Sequence, residues 1–444
     1  MVKQYDFTKG NIFKQLIFFS GPIILANLLQ ASYQIVDSLW IGNLLGASAL
    51  GAVAVSSALI FTVLAFVIGL NNAALTILSQ QKGKENEEGL ERYLNAFVVI
   101  LTFLALLFSV FGFIFSEVLL DLLGTPEELL PMAKSYLRIN FIGMLFLFGY
   151  NFISTVLRAI GDSKSPLIFV TIAVLLNVGL DPLFIAGLNF GVAGAAYATI
   201  IAQGLAFLYG MFFVLKNKLA PFRMPTLPVW SEVKLILNLG VPSGLQMAVI
   251  SAGSAAIMSV VTKFGGSVVG GFGAAQRIDS IIMLPAQALG TSVNSMAGQN
   301  IAIKNWQRVK QITKYGLLYN FICMVSIGIF IVIFAEYGVK MFIREAESVK
   351  FATMYLRIMA FCFPFLGVNF ILNGIVRASG AMYQVLILNI ISFWILRFPL
   401  TSFFSSIYDE VGIAIGMGTS FIISSVLSFL YYRFGRWRKK ELFS

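Results

Sequence analysis

The sequence predicts an all-α integral membrane protein, with twelve transmembrane helices in two pseudo-symmetric six-helix bundles. Three observations carry that prediction. The 444 residues are 58% hydrophobic and only 11% charged, with a mean hydropathy of +0.87, whereas a soluble chain is nearer a quarter charged. The apolar residues gather into twelve long segments. The second half of the chain also repeats motifs of the first at a nearly constant spacing.

A spanning helix needs roughly 20 mostly apolar residues. Such segments lie near 14–38, 50–78, 93–116, 131–157, 165–186, 191–215, 234–259, 270–297, 314–336, 351–376, 383–405 and 411–434. They are too long for barrel strands and lack the alternation that barrel strands show. Lipid demands a backbone satisfied within its own segment, so helices are the reading. Basic residues then orient the chain. Twenty-two of the 31 Lys and Arg fall on one side, in the lead-in (Lys3, Lys9, Lys14), in the turns after segments 2, 4, 6, 8 and 10, and in the tail. Seven fall on the other side, and Arg277 and Arg397 lie within spans. This bias places both termini in the cytoplasm of a cell (inner or plasma) membrane, which requires an even number of spans. It also accounts for the net charge of +11 without nucleic acid. The lead-in contains Asp6 and no small-residue cleavage site, so it reads as a cytoplasmic segment rather than a signal peptide.

The repeat is explicit. Tyr136-Leu137-Arg138-Ile139 recurs as Tyr355-Leu356-Arg357-Ile358, and Arg158-Ala159 with Gly161 recurs as Arg377-Ala378 with Gly380, both at a shift of 219. Gly46, Gly51 and Gln80 map to Gly265, Gly270 and Gln299 at the same shift, while Lys14 and Pro22 map to Lys234 and Pro242 at 220. An even number of spans per half makes the repeats parallel, with an axis along the membrane normal and a cavity between lobes. The expected organisation is a lobe over 1–215, a linker over 216–233 and a lobe over 234–444. Pro221, Pro225 and Pro228 make the linker read as an extended cytoplasmic tie.

Composition excludes several chemistries. The chain has no histidine, which removes His-based zinc sites, Ser-His-Asp triads and imidazole relays. Cys323 and Cys362 lie in separate apolar stretches and match no metal-ligand spacing; they read as buried packing. No motif pairs catalytic groups, so the chain reads as a transporter rather than an enzyme, with no prosthetic cofactor.

Duplicated halves share a scaffold, so their differences point to function. Asp37 in segment 1 has its counterpart near Ile257 or Met258. Aligning Pro182 with Pro399 puts Phe398 opposite Asp181 and Trp394 opposite Asn177. The first half therefore has polar groups that the second lacks. An ionisable group in a span costs about 2.5–3.5 kcal/mol on insertion scales and is a functional candidate by default; near a helix end it can also simply wet the interface. Asn177 and Asp181 are four apart and share a helix face. Pro182 leaves the Val178 carbonyl without its usual donor, and Thr199 in segment 6 adds a hydroxyl. Asp37, Asn177, Asp181 and Thr199 would make an oxygen cage for a small hard cation such as Na+. Two carboxylates in a low dielectric cannot both stay ionised without a counter-ion. A proton, a sodium ion or a cationic substrate would each fill that role, and mutual exclusion among them would couple transport.

In the second half Asp279 reads as a structural partner of Arg277 or Arg397, and Arg397 within its span needs a carboxylate or carbonyl partner. The glycines of 191–196 and 412–416 read as close-packing positions. Pro22, Pro242, Pro285, Pro364 and Pro399 sit inside spans, where each can kink its helix. Pro22 is the best hinge candidate because it precedes Asp37 on one helix.

Twelve spans in two halves, Pro22 fifteen residues before Asp37, the run Val36-Asp37-Ser38-Leu39-Trp40-Ile41-Gly42, Arg158-Ala159-x-Gly161-Asp162, Asn177-x-x-x-Asp181-Pro182, and Gly191-Val192-Ala193-Gly194-Ala195 leading to Thr199 together resemble the multidrug and toxic compound extrusion transporters. The first-half acids look like the DNA-damage-inducible-F-like branch. The resemblance implies a V-shaped fold and proton- or sodium-driven antiport of organic cations by a monomer. It further implies a first-lobe cation site of Asp37, Asn177, Asp181 and Thr199, a backbone carbonyl lent by Ala195, and bending of segment 1 at Pro22. A lipid-linked precursor flippase of the related superfamily is the alternative. Such a cleft would carry several basic residues, and the spans hold only Arg277 and Arg397.

Overall fold

A computed structural model describes residues 4–443; the expected cytoplasmic Lys3 lies outside the described residues. No strand occurs among them. The first half runs α1 (Ile12–Leu45), α2 (Ala47–Gly83), α3 (Glu87–Leu122), α4 (Leu130–Ile142), α5 (Met144–Ala159), α6 (Lys164–Pro182) and α7 (Val192–Lys216). The second runs α8 (Trp230–Val261), α9 (Gly266–Ala302), α10 (Trp306–Lys340), α11 (Ala346–Ala360), α12 (Phe363–Ala378), α13 (Met382–Ile390), α14 (Phe398–Tyr408) and α15 (Val411–Phe434). π-helical turns follow α6 (Leu183–Gly187) and join α13 to α14 (Ile391–Arg397).

Each of the twelve expected segments falls on helix, but not all twelve are apolar enough to cross a membrane on length and composition. Nine described helical stretches are, and two bent pairs raise the number to eleven. The pairs are α4–α5, bent by 51° at Gly143, and α11–α12, bent by 54° at Phe361 and Cys362. The bends occupy equivalent places in the repeat. Pro364 opens α12, as expected of a residue that cannot continue a helix. In contrast, α1, α8 and α9 run through Pro22, Pro242 and Pro285 without interruption. The remaining segment is α9. It is 37 residues long, but it buries Asp279, Asn294, Ser295, Gln299 and Asn300 against protein. A helix surrounded by other helices meets little lipid, so it can carry polar groups that a lipid-facing span cannot.

The chain divides into two compact units. One holds the residues up to Asp6 together with Gly21–Val241; the other holds Phe7–Ser20 together with Pro242–Ser444. The divisions fall inside α1 and α8, next to Pro22 and Pro242, rather than in the proline-rich linker. In the first unit that linker is fastened to α3. Asn95 and Thr226 exchange two hydrogen bonds of 2.8 Å, Arg223 pairs with Glu91 at 2.8 Å, and Arg92 pairs with the buried Glu232 at 2.6 Å. In the second unit Arg308 of α10 holds the lead-in, donating to the carbonyls of Phe7, Lys9 and Gly10 at 2.7, 2.6 and 3.0 Å. Gln299 accepts from the Phe7 amide at 3.0 Å.

The core of the second unit packs Phe272, Tyr355, Met359, Phe363 and Phe421 around α9. Cys362 is buried and Cys323 half-buried; both are free thiols. Small residues do the packing expected of them. A methyl group at Gly412 or Gly416 would overlap the main chain of α14, and one at Gly194 would overlap that of Phe184. Replacing Gly416 by leucine is accordingly expected to cost about 1–3 kcal/mol through overpacking, read as a lower thermal midpoint of the purified protein. An unchanged midpoint would show that the two helices do not need to touch.

Candidate cation site in the first unit

Three helices build the site. Tyr33 and Asp37 lie one turn apart on α1, Asn177 and Asp181 one turn apart on α6, and Ala195 and Thr199 one turn apart on α7. Spacing of four residues sets each pair on one helix face. Local chemistry fixes α6 at both ends. Asp162 accepts from the amides of Lys164 and Ser165 at 2.9 and 3.0 Å and from the Ser165 hydroxyl at 2.6 Å, which starts the helix. Burial pushes the Asp162 carboxyl above its ordinary range, and these Ser165 and Lys164 donors act against that rise. Gly161, at φ +92°, makes the preceding turn, and a Cβ there would strike the Tyr5 carbonyl. Pro182 closes α6 one residue past Asp181.

The expected residues come together. Asp181 is fully buried, and Asn177, Thr199 and Asp37 are 1%, 8% and 9% exposed. The Asn177 amide donates to Asp181 Oδ1 at 3.3 Å and to Thr199 Oγ1 at 3.4 Å. The carboxyl groups of Asp37 and Asp181 lie close enough to act on each other. Three acceptors at this point have no donor: Asp37 Oδ1, Asp181 Oδ2 and Asn177 Oδ1. A buried acceptor without a donor costs about 1–3 kcal/mol, and more when charged. Three in one place make the site attractive to a proton or a small cation. Ala195 is buried in the packed cluster of Ile41, Tyr136 and Ile139 that backs the site. Among the described residues no three Asp, Glu or Cys side chains gather as a metal-holding group. Two carboxylates, an amide and a hydroxyl are the oxygen donors that a hard cation takes.

Sequence reasoning missed part of the site. Tyr33 shares a 3.2 Å hydrogen bond with Thr199. A cavity of about 20 Å³, lined by Gln30, Tyr33, Tyr150, Asn177, Thr199 and Gln203, adjoins it; that is room for about one water. The available signal was position: Tyr33 precedes Asp37 by one turn.

The second-half pairing of Asp279 with Arg397 is corrected. Asp279 instead accepts from the Tyr355 hydroxyl at 3.1 Å, with its Oδ1 unpartnered. Arg397 donates to Ser420 at 3.3 Å and lies over the rings of Phe393 and Phe421, at 3.8 and 4.5 Å. Arg277 is exposed and lies over Phe342; two residues from Asp279 on a helix, it projects from the far side.

Comparison with known proteins places these features in context. The family model described as MatE matches residues 22–183 and again 242–404, so one pattern fits both halves, starting at the equivalent Pro22 and Pro242. A "Probable multidrug resistance protein YpnP" of Bacillus subtilis is 59% identical over the whole of both chains. A "Probable multidrug resistance protein NorM" of Thermotoga maritima is 25% identical over 97% of this chain and 94% of its own. A solved structure described as the outward-facing conformation of a multidrug resistance MATE family transporter of the MOP superfamily superposes with a TM-score of 0.92 at 22% identity, over 97% of this chain and 98% of that one.

Proposed function

Because the chain belongs to the MatE family, a family of multi-pass membrane transporters and not of enzymes, we propose that it is an antiporter that exports organic cations in exchange for H+ or Na+ taken up at Asp37 and Asp181. The observation that carries this reading is the pair of buried, neighbouring carboxyl groups, each with one oxygen that has no donor, beside the donorless Asn177 Oδ1. In a low dielectric the pair demands one positive charge. A proton shared between the two, or a sodium ion held with Asn177 and Thr199, meets that demand and competes with a cationic cargo. Exporting one charge against an inside-negative potential costs about 2.3 kcal/mol per 100 mV, and an entering cation returns the same amount.

In this reading both termini are cytoplasmic, the protein acts as a monomer in the cell membrane, and Pro22 is the point where α1 bends. First-half acids support the DNA-damage-inducible-F-like branch. The deciding experiment is efflux of ethidium from proteoliposomes under a pH gradient or a sodium gradient imposed separately. One of the two is expected to drive efflux alone. Efflux indifferent to both gradients would end the antiport reading.

A further inference from the structure

The repeated motif around Arg138 and Arg357 has no part in the cation site. Both arginines make the same bond. Nε of Arg138 donates to the Phe113 carbonyl, and Nε of Arg357 donates to the Val332 carbonyl, each at 3.2 Å. Phe113 and Val332 are themselves 219 residues apart, so this anchoring belongs to the duplicated scaffold. The surroundings differ. Beside Arg138 an open groove of about 610 Å³ runs between α3, α4 and α7. At the equivalent positions of the second half, Lys134 becomes Thr353 and Glu127 becomes Ala346.

The charges in the groove are arranged in a specific way. Lys134 pairs with Glu117, which Arg138 also faces electrostatically. Arg138 spends its Nε on Phe113 and on Ser116 Oγ at 2.9 Å. Its two terminal nitrogens have no hydrogen-bond or ion-pair partner among the described residues, and neither has the carboxylate of Glu127. The guanidinium also lies over the Phe113 ring at 5.1 Å and acts on Glu117, so what stays without a hydrogen bond is its pair of terminal nitrogens and one carboxylate in the groove. Its flanks are apolar and open: Phe113, Tyr197 and Ile142 are 41%, 44% and 59% exposed. A span exposes such side chains to acyl chains, and the short turn between α3 and α4 marks the end of the hydrocarbon layer.

We propose that this groove is a binding site for one phospholipid with a primary-ammonium headgroup, of the phosphatidylethanolamine type. The phosphate sits on the terminal nitrogens of Arg138, whose planar fork matches it. The ammonium sits on Glu127, and an acyl chain lies along Ile142 and Tyr197. Ile139 and Ala193 form part of the groove lining and also belong to the packing around Ala195, so the lipid braces the wall behind Thr199.

The test is native mass spectrometry of the purified full chain, offered equimolar phosphatidylethanolamine, phosphatidylcholine and phosphatidylglycerol. The wild type is expected to retain one phosphatidylethanolamine in preference to the other two. Arg138→Gln should lower that retention about tenfold, the worth of a charged hydrogen-bonded contact. Glu127→Gln should bring phosphatidylethanolamine down to the phosphatidylcholine level, because only the primary ammonium donates to the carboxylate. Arg357→Gln, which breaks the equivalent scaffold bond beside Thr353 and Ala346, should leave retention unchanged and so controls for folding. Equal retention of the three lipids by the wild type, full retention by Arg138→Gln, or displacement of the lipid by ethidium would each overturn the proposal.

Discussion

Asp181→Asn is expected to abolish ethidium efflux, and Asp37→Asn to do the same, with membrane expression of both variants intact. Asparagine keeps the volume and the acceptor oxygen but can neither bind a transferable proton nor balance a cation. Removing one partner from a buried charge arrangement costs about 3–5 kcal/mol, and about 3 kcal/mol is already more than a hundredfold in binding. Asp181 is the more severe position. It is fully buried, and Asn177 donates to only one of its oxygens, so the other depends wholly on a bound proton or cation. The measurement is dye efflux from energised cells beside an immunoblot of the membrane fraction. Wild-type efflux in both variants would remove the coupling role from this pair.

Pro22→Ala is expected to slow transport by about tenfold or more while sparing cargo binding. Proline withholds the amide that would bond four residues back, toward Phe18, which leaves the helix easier to bend there; alanine restores that bond and stiffens the helix. The position matters because the chain passes from one unit to the other between Ser20 and Gly21, one residue before Pro22. A stiffer joint at that place should raise the barrier between states without altering Asp37 or Asp181. Initial rates of efflux, compared with equilibrium binding of ethidium to the purified variant, separate the two effects. Weakened binding with an unaltered turnover rate would instead make Pro22 a packing residue.

Of the twelve expected segments, eleven fall on helices or bent pairs apolar enough to cross a membrane, since lipid contact leaves a compositional mark. Hydropathy reads α9 less well, because a helix shielded by its neighbours is free to carry Asp279 and Asn300. The duplication was legible in residues that the fold cannot exchange. Gly161 and Gly380 recur because both adopt φ above +80°, and Arg138 and Arg357 recur because each ties its helix to the preceding span. The acids were legible because an isolated carboxylate is rare in an apolar run. Partnerships were not. Which group reaches Asp279 depends on helix rotation, and a tyrosine on α11 was better placed than either arginine. The linker's partners were not legible for a similar reason: three prolines suit an extended tie, and only the folded unit reveals that Asn95 and Glu91 on α3 hold it.

The allocation of the lead-in and linker segments bears on biosynthesis. Residues 7–20 complete a body made mostly of the later half, and residues up to 241 complete a body made mostly of the earlier one. During translation the earlier body stays unfinished until Val241 has left the ribosome, and the opening stretch waits, undocked, for Arg308 to be made. Cutting the gene at the middle would therefore yield two fragments that each lack a piece carried by the other.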